Sequence, residues 1–283
     1  MIELLEKYIR NNWHNFNLPF LLPRRFSYLF LKGFRKTIFF LFKDNDSQPF
    51  AVLKISNDPL VFKRLLSEYE TLSYLSAKEA VRSDIPAPLA FFEMRGHTCV
   101  FESALSGTPL VYYMQGIRTR RGLRRMKEIF DRIVDTLVTF DKPNQHHKAD
   151  SKHQQVVEHG DFNPSNLYVA RNGIKIFDWE YSTLQGKPLR DVLDFSLKYV
   201  LFARYLKKEI RREHPILKDF EEAFLSRTTH SAIIWDSISL YNKKMDMHKS
   251  AVLDAFYSLC KKYLIESDAR SFFKNLDTLI VSS

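Results

Sequence analysis

The sequence predicts an α+β protein in two parts: a small antiparallel β-rich N-terminal part with one helix, and a mainly helical C-terminal part. Three observations predict it. Aromatic and β-branched runs separated by turn residues fill residues 26–102. Beyond residue 120, apolar residues recur at spacings of three and four. A length of 283 residues with 45% hydrophobic content suits one large domain or two lobes, at roughly 100–200 residues per domain.

The elements follow in order. Leu4, Leu5, Tyr8 and Ile9 mark a short amphipathic helix. Phe26–Leu31 and Thr37–Phe42 flank a Gly33-containing turn and read as a hairpin. Phe50–Ile55 follows as a third strand. Over residues 60–77 the period changes, with Leu65, Leu66, Tyr69, Leu72 and Leu75 on one helical face, and Ile85-Pro86-Ala87-Pro88 ends that stretch. Leu89–Glu93 and Thr98–Glu102 make a second strand pair around Arg95-Gly96. Ser103–Pro109 reads as a linker, which divides the chain into residues 1–102 and 103–283. Met126, Ile129, Phe130, Ile133, Val134, Leu137 and Phe140 form a helical stripe over residues 121–140. Residues 142–155 are polar and loop-like, and residues 192–208, 217–226, 230–242 and 249–281 are helical. Phe39, Phe40, Phe42, Phe272 and Phe273 belong to the core.

Composition excludes several classes of function. The formal charge of +10 invites a nucleic-acid reading. However, the basic excess is 3 in residues 1–104, 3 in 105–195 and 4 in 196–283, with no basic domain. The dense run from Arg118 to Lys127 reads as the solvated start of a helix, the alternative being an anionic substrate or a membrane surface. Cys99 and Cys260 are the two cysteines, too few and too far apart for a disulfide framework or a metal knuckle. His146, His147 and His153 lack an acid or cysteine spaced to complete a metal site and read as a polar loop. The chain starts without a basic, apolar leader, and no stretch is apolar enough to span a bilayer. The expectation is a cytoplasmic protein with no transmembrane segment, free to make peripheral membrane contacts and of open oligomeric state.

The segment richest in chemistry is His159-Gly160-Asp161-Phe162-Asn163-Pro164-Ser165-Asn166. It is followed by a hairpin about Asn172-Gly173 that ends in Asp178-Trp179-Glu180. Asp161 is suited to accept a proton from a hydroxyl nucleophile. Asn166 and Asp178 are hard oxygen donors that suit Mg²⁺ and the phosphates it carries. Phosphoryl transfer needs this combination of positioning and charge neutralisation.

These two motifs resemble the aminoglycoside phosphotransferase/choline kinase family, which shares the two-lobed fold of the protein kinases. The resemblance runs from about residue 25 to residue 200. Ala51-Val52-Leu53-Lys54 resembles the strand bearing the ATP-binding lysine, and Ser67-Glu68-Tyr69-Glu70-Thr71-Leu72 the helix bearing its glutamate partner. Phe101–Leu110 resembles the hinge, and Gly186–Val192 the segment after the second metal-binding aspartate. The resemblance implies that Asp161 is the catalytic base and that Asn166 and Asp178 bind Mg²⁺. It implies that Lys54 contacts the ATP phosphates and Glu68 holds it, and that the backbone of Glu102, Ser103 and Ala104 meets adenine. His159 and Asp191 would brace the loop. Glu68 is preferred to Glu70 because it shares a helical face with Leu72 and Leu75.

Two departures qualify the resemblance. A glycine-rich loop is missing, since Gly33 stands alone in the first turn, and Arg35 and Lys36 are the charges available there. Residues 196–283 are basic on balance, against the acidic pocket a polycationic aminoglycoside would need. The implied activity is an ATP- and Mg²⁺-dependent kinase of a small-molecule hydroxyl on a sugar, an amino alcohol or a similar metabolite. An envelope lipid or glycan precursor is the alternative acceptor, and a nucleotide-binding pseudokinase or scaffold the alternative function. The loop's His-Gly-Asp and Asp-Trp-Glu set it apart from the protein kinases.

Overall fold

The computed structural model describes residues 2–16, 18, 21–43, 46–115, 117, 119–141, 156–206 and 215–281. The expected polar loop at 142–155, with its three histidines, lies outside the described residues, as does Arg118. The chain divides into two compact units. Met1–Ser106 together with Phe177–Tyr181 form the first, and Gly107–Ile176 with Ser182–Ser283 the second. This division falls four residues beyond the one drawn at 102/103, and it assigns the Asp178-Trp179-Glu180 segment to the first unit.

The first unit opens with helix α1 (Ile2–Asn11), followed by strands β1 (Phe26–Lys32), β2 (Thr37–Lys43) and β3 (Ala51–Ser56). Helix α2 (Pro59–Ser76) comes next, then strands β4 (Pro88–Met94) and β5 (His97–Ser103). The strands form one antiparallel sheet in the order β1-β2-β3-β5-β4. Side chains alternate across a sheet, so β3 divides its residues between two faces. Leu53 and Ile55 enter a core with Leu41, Phe101 and the α1 residues Leu5 and Ile9. Lys54 stands on the other face, where Val100, its cross-strand partner, packs against Val61 and Leu65 of α2. Asp58 caps α2, its carboxylate accepting from the Leu60 N–H at 2.8 Å ahead of Pro59 at the first helical position.

The second unit contains two small sheets and seven helices among the described residues. Strand β6 (Thr108–Pro109) pairs with β8 (Leu167–Ala170), which pairs with β9 (Gly173–Ile176). Strand β7 (Val156–Glu158) pairs with β10 (Thr183–Gly186). The helices are α3 (Leu110–Met114), α4 (Arg120–Asp141), α5 (Arg190–Leu206), α6 (Ile216–Phe220), α7 (Thr229–Met245), α8 (Lys249–Tyr263) and α9 (Glu266–Val281). The apolar stripe of α4 is buried from Met126 to Phe140, while Arg120, Arg121, Arg124 and Arg125 are exposed. Phe130 of α4 meets Phe195 and Tyr199 of α5 edge-on, at ring-centre distances of 4.9 and 5.0 Å.

An antiparallel unit with one helix inserted between β3 and β4, and a mainly helical second unit, make up the two-part α+β architecture that the sequence predicts. Three details differ. The expected linker 103–109 is ordered: Ser103 ends β5 and Thr108–Pro109 adds a strand to β8. Gly107 permits that approach, since a Cβ there would lie 2.8 Å from the Cβ of Tyr168. The stretch 217–226 is α6 followed by a wider turn, Glu221–Leu225. The long helix 249–281 is two helices, α8 ending at an extended Leu264. Both cysteines are buried free thiols. No helix among the described residues is long and apolar enough to cross a membrane.

Candidate active site

In the first unit, β3, α2, β5 and the segment 177–181 bring one ammonium and three carboxylates together. Lys54 is 3% exposed. Its Nζ donates to Glu68 Oε1 at 2.5 Å and to Asp178 Oδ1 at 3.2 Å, and lies 3.4 Å from Glu102 Oε1. Glu68 Oε1 also accepts from the backbone N–H of Trp179 at 2.8 Å. One carboxylate therefore fixes both the lysine and the chain beside Asp178. Glu70 is exposed whereas Glu68 is buried. Asp178 adopts a left-handed backbone with φ 64°. A non-glycine residue is uncommon there, and such conformations cluster where a side chain must be presented.

Burial works to lower the pKa of Lys54, but the carboxylates of Glu102, Glu68 and Asp178 outweigh it and hold the ammonium well above the usual lysine value. Glu68 is pushed up by burial against the opposing pull of Lys54. Burial is also the main cause that raises Glu102, to about 8. The physical reason is a shortage of charge, because a single ammonium faces two fully enclosed carboxyl groups. Glu68 Oε2 and Glu102 Oε2 are buried without a hydrogen-bond partner. The proton on Glu102 makes a testable statement. Its folded pKa lies above the unfolded value, so the folded chain holds a proton that the unfolded chain has released between about pH 4.5 and 8. Stability from this group therefore falls as pH rises through that window. Glu102→Gln should flatten that part of the stability profile, measured as urea midpoints against pH. An unchanged slope would contradict it.

The β1–β2 turn contributes a second lysine. Lys36 Nζ lies 2.6 Å from Glu180 Oε2 and 3.4 Å from Asp178 Oδ1. Of the two charges expected in that turn, Lys36 is thus aimed at the Asp178 segment, whereas Arg35 pairs with Asp58 at 3.5 Å. Toward β1 and β2, the face of the sheet that carries Lys54 is apolar. Register places Ile38 and Leu31 beside Lys54, and Phe40 and Leu29 beside Val52. At the end of β5, the Ser103 N–H donates to Ala87 O and the Ala104 N–H to Phe50 O, each at 2.9 Å. These backbone donors, expected to meet adenine, are already engaged. The Glu102 side chain is the one that lies 3.4 Å from Lys54 Nζ.

In the second unit, the loop after β7 organises the remaining residues. Gly160 has φ 77°. This turn points the N–H groups of His159 and Gly160 at the buried Asp191 carboxylate, at 2.7 and 3.3 Å. Burial, reinforced by Glu158, holds Asp191 well above the usual carboxylate value. Phe162 anchors the loop edge-on against Phe195 of α5. Asn163 caps the turn Pro164–Asn166 through the Ser165 N–H at 2.9 Å. Asn166 Nδ2 donates to Asp161 O at 3.0 Å, leaving its Oδ1 as an oxygen donor. Asp161 is 38% exposed at its side chain and accepts from Asn163 Nδ2 at 3.2 Å through Oδ2.

Sequence reasoning missed four residues here. Lys198 of α5 donates to Asp161 Oδ1 at 2.5 Å and to the buried Asp194 at 3.0 Å. Lys262 reaches Gly160 O at 2.8 Å and Asp194 at 3.3 Å, and the Tyr263 hydroxyl donates to Asp194 at 2.6 Å. The available signal was Asp194–Lys198, an acid and a lysine one helical turn apart in the largely apolar stretch 192–203.

The donor set can be tested against a metal. No cluster of three or more His, Cys, Asp or Glu that could cage an ion exists among the described residues. Mg²⁺ does not require one, because it is usually held by one or two carboxylates together with substrate phosphates. In the first unit the part-exposed carboxylate of Asp178, and in the second the Oδ1 of Asn166, are each a hard oxygen donor of the kind Mg²⁺ accepts.

No family model matches this chain. No curated protein matches it. Among solved structures, it is similar to aminoglycoside phosphotransferase APH(3'')-Id from Streptomyces rimosus, with 10% sequence identity and a TM-score of 0.48. The match covers 85% of this chain and 98% of that one.

Proposed function

We propose that this chain is an ATP- and Mg²⁺-dependent phosphotransferase acting on a hydroxyl group of a small molecule. The observation that carries this reading is the buried Lys54 ammonium, joined to Glu68 of α2 and to Asp178, which lies 124 residues downstream. A structural ion pair has no need of a third, part-exposed carboxylate in a left-handed backbone. A lysine that must meet anionic phosphates does need to be held charged and aimed.

The roles divide between the units. Lys54 binds nucleotide phosphate and Glu68 positions it. Lys36 supplies the charge that a glycine-rich loop would otherwise replace with backbone N–H groups. Leu29, Leu31 and Val52 give the Lys54 face of the sheet an apolar surface for a purine ring, and Ser103 and Ala104 contribute shape rather than N–H donors. In the second unit, Asp161 orients the acceptor hydroxyl and takes its proton, while His159 and Asp191 hold the loop. Asn166 and Asp178 would hold Mg²⁺, which supplies charge neutralisation on the transferring phosphoryl group. Lys198 and Lys262 at the Asp161 loop favour a neutral or anionic acceptor over a polycation, which keeps a sugar, an amino alcohol, or an envelope lipid or glycan precursor in view.

The test is a thermal-shift titration with ATP, with and without Mg²⁺, followed by ATP turnover across a panel of sugars, amino alcohols and glycolipids. The expected result is a Mg²⁺-dependent rise in unfolding temperature and turnover on one acceptor class. A nucleotide-induced shift without turnover on any acceptor would favour the scaffold reading, and no shift at all would overturn both.

A further inference from the structure

The edge of the first unit's sheet carries a surface that phosphotransfer does not use. Strand β1 is outermost, pairing on one side with β2. On the face that α1 covers, Phe39 and Leu41 of β2 are buried, but their β1 partners Phe30 and Tyr28 remain 53% and 45% exposed. At one end of β1, the turn presents Phe34 at 97% exposure. At the other end, before the strand begins, Leu21 is 91% exposed. The strand between them is about 23 Å long at roughly 3.3 Å per residue. Soluble proteins usually blunt such an edge or cover it.

Charge identifies the partner. From Lys7 to Lys43 the chain contains no Asp or Glu in 37 residues, but has eight Lys and Arg. Arg24, Arg25 and Lys32 are exposed at the two ends of β1 and form no ion pair among the described residues. A second copy of the chain is a poor occupant. Antiparallel pairing of β1 with itself would set Arg24 and Arg25 of one copy opposite Lys32 of the other, without an acid to offset them. A lipid surface with anionic headgroups accepts both features, taking exposed aromatic and leucine side chains into its boundary and pairing the flanking cations with its charge.

We infer that the β1 edge is a peripheral docking surface for an anionic membrane, with Leu21, Phe30 and Phe34 entering the headgroup boundary and Arg24, Arg25 and Lys32 meeting anionic headgroups. The inference is independent of the catalytic reading, because none of these residues belongs to the proposed site.

The test is flotation of the full chain with vesicles of phosphatidylcholine alone and with about a third phosphatidylglycerol added. The expected result is partitioning onto the anionic vesicles only, lost as salt rises from about 0.1 M to about 1 M and the screening length falls from about 10 Å to about 3 Å. The triple variant Arg24→Glu, Arg25→Glu, Lys32→Glu should weaken partitioning by about 100-fold, at roughly fivefold per cation. Phe34→Ser with Leu21→Ser should weaken it with the unfolding temperature unchanged. Absence of binding, equal binding to both vesicle types, or full binding by the charge-reversed variant would each overturn the inference. So would light scattering that shows a dimer dissociated by Phe34→Ser with Leu21→Ser.

Discussion

Asp161→Asn is expected to lower turnover by about 10²–10⁴-fold, the usual contribution of a positioned general base, while nucleotide affinity and fold stay as they are. The surroundings of the side chain say why the change should be so selective. Asp161 is part exposed, so no buried charge is created or lost. Asn163 Nδ2 and Asn166 Nδ2 still find an amide oxygen or the Asp161 carbonyl to bond, as they do now at 3.0–3.4 Å. Lys198 loses one carboxylate but keeps Asp194 at 3.0 Å. What disappears is the ability to take a proton from the acceptor. Steady-state turnover with the true acceptor, beside calorimetric titration of ATP with Mg²⁺, checks both halves. Undiminished turnover would remove Asp161 from its role, and a parallel collapse of nucleotide affinity would make it a structural residue.

The strands and helices were legible because their periodicities are simple. β3 alternates Leu53 and Ile55 against Val52 and Lys54, and a lysine in an apolar strand is informative in itself. The phase of α2 selected Glu68 over Glu70. The paired motifs around Asp161 and Asp178 carried the candidate residues into view because turns that present side chains are short and locally encoded. Less legible was whatever depends on partners distant in sequence. Thr108–Pro109 carries no strand signal, and becomes one because β8 lies alongside. The N–H groups of Ser103 and Ala104 looked available until Ala87 and Phe50 took them. Glu102 read as a backbone residue because nothing local says that its side chain faces a lysine two strand positions away. Lys198, Lys262 and Tyr263 lie on helices whose contacts with the catalytic loop are set by tertiary packing.

Lys54→Met is expected to destabilise the chain by about 3–5 kcal/mol, the range for removing one partner of a buried ion pair, and to abolish nucleotide-dependent stabilisation. The size of the effect follows from what remains. Glu68 and Glu102 are both buried, and each already has one oxygen without a partner. Without the ammonium they must either stay ionised in a poor dielectric or take up protons, and protonation is the less costly course. Loss of stability in the variant should therefore grow from acid to neutral pH. The double variant Lys54→Met, Glu68→Leu discriminates between a structural and a functional pair. Replacing both charges by apolar side chains should recover much of the lost stability, as apolar replacement of buried ion pairs often does, although the Trp179 N–H would lose its acceptor at 2.8 Å. Nucleotide-dependent stabilisation should not return with it. Denaturant midpoints with and without ATP and Mg²⁺ separate the two readouts. If the double variant recovered the nucleotide response along with its stability, Lys54 and Glu68 would be a structural pair, and the nucleotide would have to be held elsewhere.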